Sequence, residues 1–220
     1  MSTVLRAALL AAAGAAGLEY LHRHRDRGAT AAEVARVLPG DDLVPEPATQ
    51  TTLAVTVAAP AEEVWAWLVQ MGADRGGMYS YDWLENLVGL DIHTTDEIRE
   101  EWQHLAPGDR VVVAPAGWGP LPDGYAFRVA LADPPRTLVL RQAPPEHPWN
   151  GVWTFAVVPL DEGRCRLLSR SRTQVDARLA ARLAGRLGEP VTVVMTRRML
   201  HGIRERAERR ARPVEAPAQR

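Results

Sequence analysis

Between residues 110 and 173 the sequence alternates apolar and polar residues in one short run after another, each closed by Pro, Gly or Asp. RVVVA, YAFRVALA, TLVLRQ, VWTFAVV and RCRLLSRSRT all carry the period of two that sends successive side chains to opposite faces of a strand. The punctuation between them, including the hairpin turn LDEG at 160–163, marks an antiparallel sheet. In the last run Arg164, Arg166, Arg170 and Arg172 share one face, and Cys165, Leu167, Ser169 and Ser171 share the other. One face of the sheet is therefore expected to be solvated and the other to meet a core or cavity.

The period changes on either side of this block. TTLAVTVAA alternates like a half-buried strand, with Leu53, Val55 and Val57 inward. Pro60 then opens a helix in PAEEVWAWLVQM whose inner stripe is Val64, Trp67, Leu68 and Met71, stopped at Gly72. Ser80 is placed to cap a second helix, YDWLENLV, ending at Gly89, and Thr95 to cap a third, DEIREEWQHL. After the sheet the chain is helical in two pieces, with GEP at 188–190 expected to break or kink it. Ahead of the first strand, Thr30 and Glu33 have capping-box spacing, and the Pro, Gly and acid content of 38–50 reads as a linker. This divides the chain into an N-terminal helical segment and linker (1–50), one compact α+β domain (51–212) and a frayed tail (213–220).

Charge and composition exclude several classes. The formal net charge is −1, so the whole chain is no electrostatic match for nucleic acid. Every one of the 26 basic residues is Arg, which removes P-loop and Schiff-base lysine chemistry. The single cysteine, Cys165, allows no internal disulfide. The histidines lack metal-ligand spacing, so no metal is expected; no G-x-S-x-G or dinucleotide fingerprint is present, and no cofactor is expected. AALLAAAGAAGL, residues 7–18, would span about 18 Å as a helix against the ~30 Å of a bilayer core. Residues 1–27 stay open between a peripheral membrane contact, a signal peptide and a plain Ala-rich helix. The chain is placed in the cytoplasm, with membrane association open through that segment; the Arg-rich C-terminal helix stays open between a solvated face and, together with HRHRDR, a contact with anionic lipid.

One strand, two or three short helices, an antiparallel sheet and a long last helix, together with VAAPAEEVWAWL at 57–68, resemble the START-like, polyketide-cyclase/dehydrase-like superfamily, SRPBCC. LVQMG, RGGMYSYDWLENL, LDIH and VVMTRRMLHGIRERAE resemble an uncharacterised bacterial subgroup of it. The resemblance covers about residues 50–210 and implies a helix-grip fold, a curved sheet wrapped around the C-terminal helix with an apolar cavity between them. It brings no catalytic set, and relatives hold lipids, sterols, polyketides or quinones.

RGGMYSYDWLENLVGLDIH, residues 75–93, is the densest chemical stretch. It is no phosphate cradle, since it follows a helix rather than a strand and the chain has no Lys. Gly76 and Gly77 suit a tight connection. Trp outnumbers Phe seven to two, and buried indoles and phenols seek partners or a wet cavity where a plain core would use Leu and Phe. The candidate ligand-binding residues are accordingly Trp67, Met71, Arg75, Tyr79, Tyr81, Trp83, Asn86, Trp118, Trp153, Met195 and Met199, with 117–125 and 142–151 as lid loops. The alternative for the aromatics is a set of core pins. For an acid–base reading the candidates are Asp82, Tyr81 and His93, the last oriented by Asp91. Three functions follow in order: binding of a small hydrophobic molecule, acid–base catalysis on a polyketide-like substrate, and lipid handling at a membrane surface.

Overall fold

The computed structural model describes residues 28–118, 123–147, 149–174 and 179–212, with 179–190 described as backbone alone. The expected helix at 1–27 and the tail at 213–220 lie outside the described residues. Six antiparallel strands form one curved sheet: β1 (Thr49–Val57), β2 (Arg110–Ala114), β3 (Tyr125–Asp133), β4 (Thr137–Gln142), β5 (Asn150–Asp161) and β6 (Arg164–Gln174), in the order β1-β6-β5-β4-β3-β2. The helices are α1 (Ala31–Ala35), α2 (Ala61–Val69), α3 (Asp82–Leu87) and α4 (Leu179–Ala211). This is the helix-grip arrangement, α+β, with α2 and α4 against the concave face.

All five alternating runs between 110 and 173 are strands. Their register fixes the faces, because directly opposed residues in antiparallel pairs point the same way. Leu138, Phe155, Ser169 and Leu53 make one row across β4, β5, β6 and β1. All four are buried and face Met71, Met199 and Ile203 in the main core. α2 buries the expected stripe of Val64, Trp67 and Leu68. α4 starts close to the end of β6, and its Glu208 accepts a hydrogen bond from the Ala58 N–H beyond the end of β1 (2.9 Å). It therefore runs back along the sheet and seals the end opposite to its start.

Four local expectations are corrected. α4 continues through Pro190 as one 33-residue helix; a proline removes one backbone hydrogen bond, and the remaining ladder carries the helix past it. Ser80 does not cap α3; its hydroxyl donates to the Met195 carbonyl at 3.1 Å and so ties the start of α3 to α4. The third helix shrinks to one 3-10 turn, Glu100–Trp102. The cause is Gln70, fully buried, whose amide donates to Glu97 O (3.0 Å) and accepts from Arg99 N–H (3.2 Å). Backbone groups that a helix would need are taken by that side chain.

The fourth correction is the largest. Beyond Arg164, which is exposed, the arginine face of β6 is not solvated. Residues 28–45, expected as helix and linker, lie across the outer face of the sheet as a strap. The capping box at Thr30 and Glu33 forms, and α1 ends over Arg170. That guanidinium, 1 % exposed, donates to Thr52 Oγ1, the carbonyls of Arg36, Glu33 and Val34, and Asp41 Oδ2. A cation among the last carbonyls of a helix is favoured by the helix dipole as well as by the hydrogen bonds. Arg166 pairs with Glu33 (2.7 Å), and Arg172 donates to Val44 O and Pro45 O. Leu38 packs on Ala54, Ala156 and Leu168, and Val44 on Val139 and Val152. Gly40 takes φ 88°, and a Cβ there would sit 2.6 Å from Val139 Cγ1. β1 is thus buried on both faces from Thr52 to Val55 rather than on one.

Candidate functional site

The 75–93 stretch folds as a corner joining α2, α3 and α4. Gly77, at φ 81°, brings the chain against Thr94, and a Cβ on Gly76 would meet the Tyr79 hydroxyl at 2.7 Å. Tyr79 is 1 % exposed with φ 55°, a left-handed conformation that bulky residues seldom adopt. Its ring stands edge-on to Trp67 at 5.8 Å and beneath the Arg206 guanidinium at 5.1 Å, and its backbone lies against Gly202 of α4. Burial drives the Tyr79 phenol pKa upward. Its hydroxyl lies close enough to the Gln70 amide to temper that rise but makes no well-aligned hydrogen bond, the amide being directed to Glu97, Arg99 and Gln103. Trp67, Met71, Tyr79 and Met199 are all core residues.

The other candidates from this stretch are spread out. Arg75 bridges backbone carbonyls, Val69 O at 3.2 Å and Arg110 O at 2.9 Å. Asn86 holds the loop after α3 through both Ile92 backbone groups. Asp82 accepts from Thr94 N–H at 2.8 Å and Thr94 Oγ1 at 2.6 Å. Tyr81, Asp82 and Trp83 share an open cleft of about 360 Å³ with Tyr79, Ser80, Thr94, Arg198 and Arg206. His93 is not in it: it pairs with Asp91 at 3.1 Å on the surface, its side chain 79 % exposed. The three acid–base candidates therefore do not converge on one point. A second open cleft, about 450 Å³, lies between Trp67, Ile98 and Arg206. Its Asp96 is paired with Arg206 and Arg209.

Sequence reasoning passed over Glu85. It is 5 % exposed, one carboxylate oxygen has no partner, and burial together with the Asp82 charge pushes its pKa up to about 7.

The sheet end where α4 begins has a different character. Phe127 and Trp153 are half-buried, and their rings lie 5.5 Å apart, with Phe155 buried 4.8 Å beyond Trp153. The Trp153 indole donates to Ser169 Oγ at 2.8 Å, a serine on the inner face where a plain core would place an aliphatic side chain. By register Val129, Leu140, Trp153, Ser171 and Thr51 form the next row out from the fully buried one. Beyond it the lid loops carry a stack: Trp118 edge-on to Tyr125 at 5.7 Å, Tyr125 on Trp149 at 6.0 Å, and Trp149 on His147 at 5.3 Å. Two polar tips are satisfied internally, Trp149 Nε1 by Gln142 Oε1 (2.8 Å) and Gln142 Nε2 by Ala126 O (3.0 Å), while His147 Nδ1 is buried without a partner. Trp118 Nε1 donates to Val88 O at 2.7 Å, which laces the β2–β3 loop to the end of α3. Residues 119–122 and 148 of these loops lie outside the described residues. Trp118 and Trp153 were legible as candidates; Phe127 joins them only through the fold, and Tyr125, Gln142 and Trp149, within the expected lid loops, through ring stacking and hydrogen bonds.

No family model matches the sequence, and no curated protein matches it. Solved structures do match in fold. The Zhui aromatase/cyclase from Streptomyces sp. R1128 is 22 % identical with a TM-score of 0.43, covering 74 % of this chain and 96 % of that one. CalC, a self-sacrificing resistance protein from Micromonospora echinospora, is 13 % identical with a TM-score of 0.45 over 74 % of this chain and 96 % of its own. A Thermobifida fusca protein is 21 % identical with a TM-score of 0.48, over 73 % and 93 %. Each is a likeness of fold alone. Among the described residues no helix is long and apolar enough to cross a membrane.

Proposed function

We propose that this chain is a member of the SRPBCC superfamily that binds a small hydrophobic molecule on the concave face of its sheet, between the lid loops and the start of α4. The observation that supports this is the half-buried aromatic row of Phe127 and Trp153, continued by Trp118, Tyr125 and Trp149. Fully buried aromatics are core; the same rings left half-exposed on an inner face, beside Ser171 and Gln142, fit an apolar ligand with neutral polar groups. Among the described residues the polar side chains beside this row, Gln142, Ser169 and Ser171, are uncharged, which favours a neutral ligand.

An acid–base enzyme is the lesser reading. Its support is Glu85 on α3, whose pKa burial and the Asp82 charge push up to about 7, within the range a general acid or base uses. The discriminating experiment is titration with an uncharged polarity-sensitive naphthalene dye, read by dye emission and by tryptophan quenching. Saturable binding that weakens at least tenfold in Trp153→Ala supports the concave site. Binding unaffected by Trp153→Ala but abolished by Trp83→Ala moves the ligand to the α3 cleft and overturns the proposed location.

A further inference from the structure

The C-terminal half of α4 divides its charges by face. Arg198 is paired with Glu205 (2.9 Å), Arg206 and Arg209 with Asp96 (3.0 and 3.6 Å), and Arg210 with Glu63 (2.8 Å). Among the described residues, Arg197 and Arg204 make no ion pair, and Arg204 Nε has no acceptor at all. These two and His201 are spaced by four and three residues, which places them on one stripe of the helix. Val194 extends the stripe by a turn and is 38 % exposed, with Val191 beside it at 59 %. Of the nearest acids, Glu205 is paired with Arg198 and also feels the Arg204 charge, and Glu208, a turn beyond Arg204, accepts from the uncharged Ala58 N–H. Arg197 is therefore the arginine of the stripe farthest from a carboxylate along the helix. Burial and the adjacent Arg204 and Arg197 charges hold the His201 pKa below its ordinary value, in keeping with a locally positive field. The whole chain carries a net −1, so this is a local concentration and not general basicity.

Arginines without an ion pair beside exposed valines fit a surface that offers negative charge and an apolar layer together. We propose that the Val194–Arg197–His201–Arg204 stripe of α4 docks the protein on an anionic lipid surface. The valines enter the interfacial layer while the two guanidiniums meet headgroup phosphates. This contact belongs to the folded domain and is separate from residues 1–27; it stands whether or not the concave face holds a ligand.

The test is co-sedimentation of the full chain with vesicles of phosphatidylglycerol mixed into phosphatidylcholine, and with phosphatidylcholine alone. A charge near an anionic surface is worth about fivefold in partitioning, so Arg197→Gln should cost about fivefold and Arg197→Gln with Arg204→Gln about 25-fold. Arg197 is exposed, so the single variant reports on binding even where the double variant perturbs the helix. The same losses should recur when Arg23, Arg25 and Arg27 are all replaced by Gln, which isolates the stripe from the N-terminal segment. Equal binding to neutral vesicles, no loss in Arg197→Gln, or complete loss from the N-terminal replacements alone overturns the proposal. Competition by millimolar inorganic phosphate would assign the stripe to a free anion and overturns it as well.

Discussion

Arg170 is the residue on which most contacts converge. Its donors reach one carboxylate, one hydroxyl and three backbone carbonyls with almost no exposure. Removing one partner of a buried, hydrogen-bonded ion pair strands the others, at about 3–5 kcal/mol. Arg170→Met should lower the unfolding free energy by that amount in urea titrations, whereas Arg164→Met, at the exposed end of the same strand, should leave the urea midpoint almost unchanged. Two glutamates set opposite pH dependences. Hydrogen bonding to Arg166 holds Glu33 down to about 2 from an ordinary 4.5. Its stabilisation is present above 4.5 and is lost as pH falls towards 2. Glu85 is held up to about 7, so between pH 4.5 and 7 the folded protein keeps a proton that the unfolded chain has lost, and stability falls as pH rises. From these two groups stability peaks near pH 4.5. Glu85→Gln should flatten the decline and raise stability at neutral pH by about 1–3 kcal/mol. A neutral-pH loss in that variant, with the decline intact, would show that Glu85 is ionised in the folded state.

At the level of elements, the strap is part of the fold. A chain beginning at Thr49 would expose Arg170 without acceptors and uncover Ala54, Val139, Val152 and Leu168. It should fail to give a cooperative thermal transition by circular dichroism. Gly40→Ala is the milder version: positive φ and the contact with Val139 both oppose a Cβ, and a cost of about 1–3 kcal/mol is expected. The sheet was legible from sequence because period two survives in every strand. α2 was legible because Val64, Trp67 and Leu68 repeat at helical spacing. The strap was not, because its buried apolar residues, Leu38 and Val44, are isolated among Pro, Gly and Asp and carry no period. Alternating arginines on β6 look solvated for the same reason: nothing local in RCRLLSRSRT says that distant carbonyls will cover them. The third helix was misread because its competitor, Gln70, lies almost thirty residues earlier in the chain.

For the whole molecule, the helix grip leaves its two ends unlike. α2 and the C-terminal half of α4 close one end with Leu53, Phe155, Met199 and Ile203, while Phe127, Trp153 and the lid-loop stack stay half-open at the other. The sequence named several tryptophans as candidates but could not sort core pins from lining residues. That distinction is one of burial, and burial depends on which row of the sheet a residue joins. Trp67 and Tyr79 proved to be pins, while Trp153 and Trp118 sit at the open end. The most direct measurement is native mass spectrometry of the full chain, purified gently from its own source and followed by organic extraction of whatever is bound. A stoichiometric, uncharged apolar molecule, retained by the native chain and lost from Trp153→Ala, is the expected result. A ligand-free protein that also takes up no uncharged apolar dye would contradict the binding proposal and leave the aromatic row as packing alone.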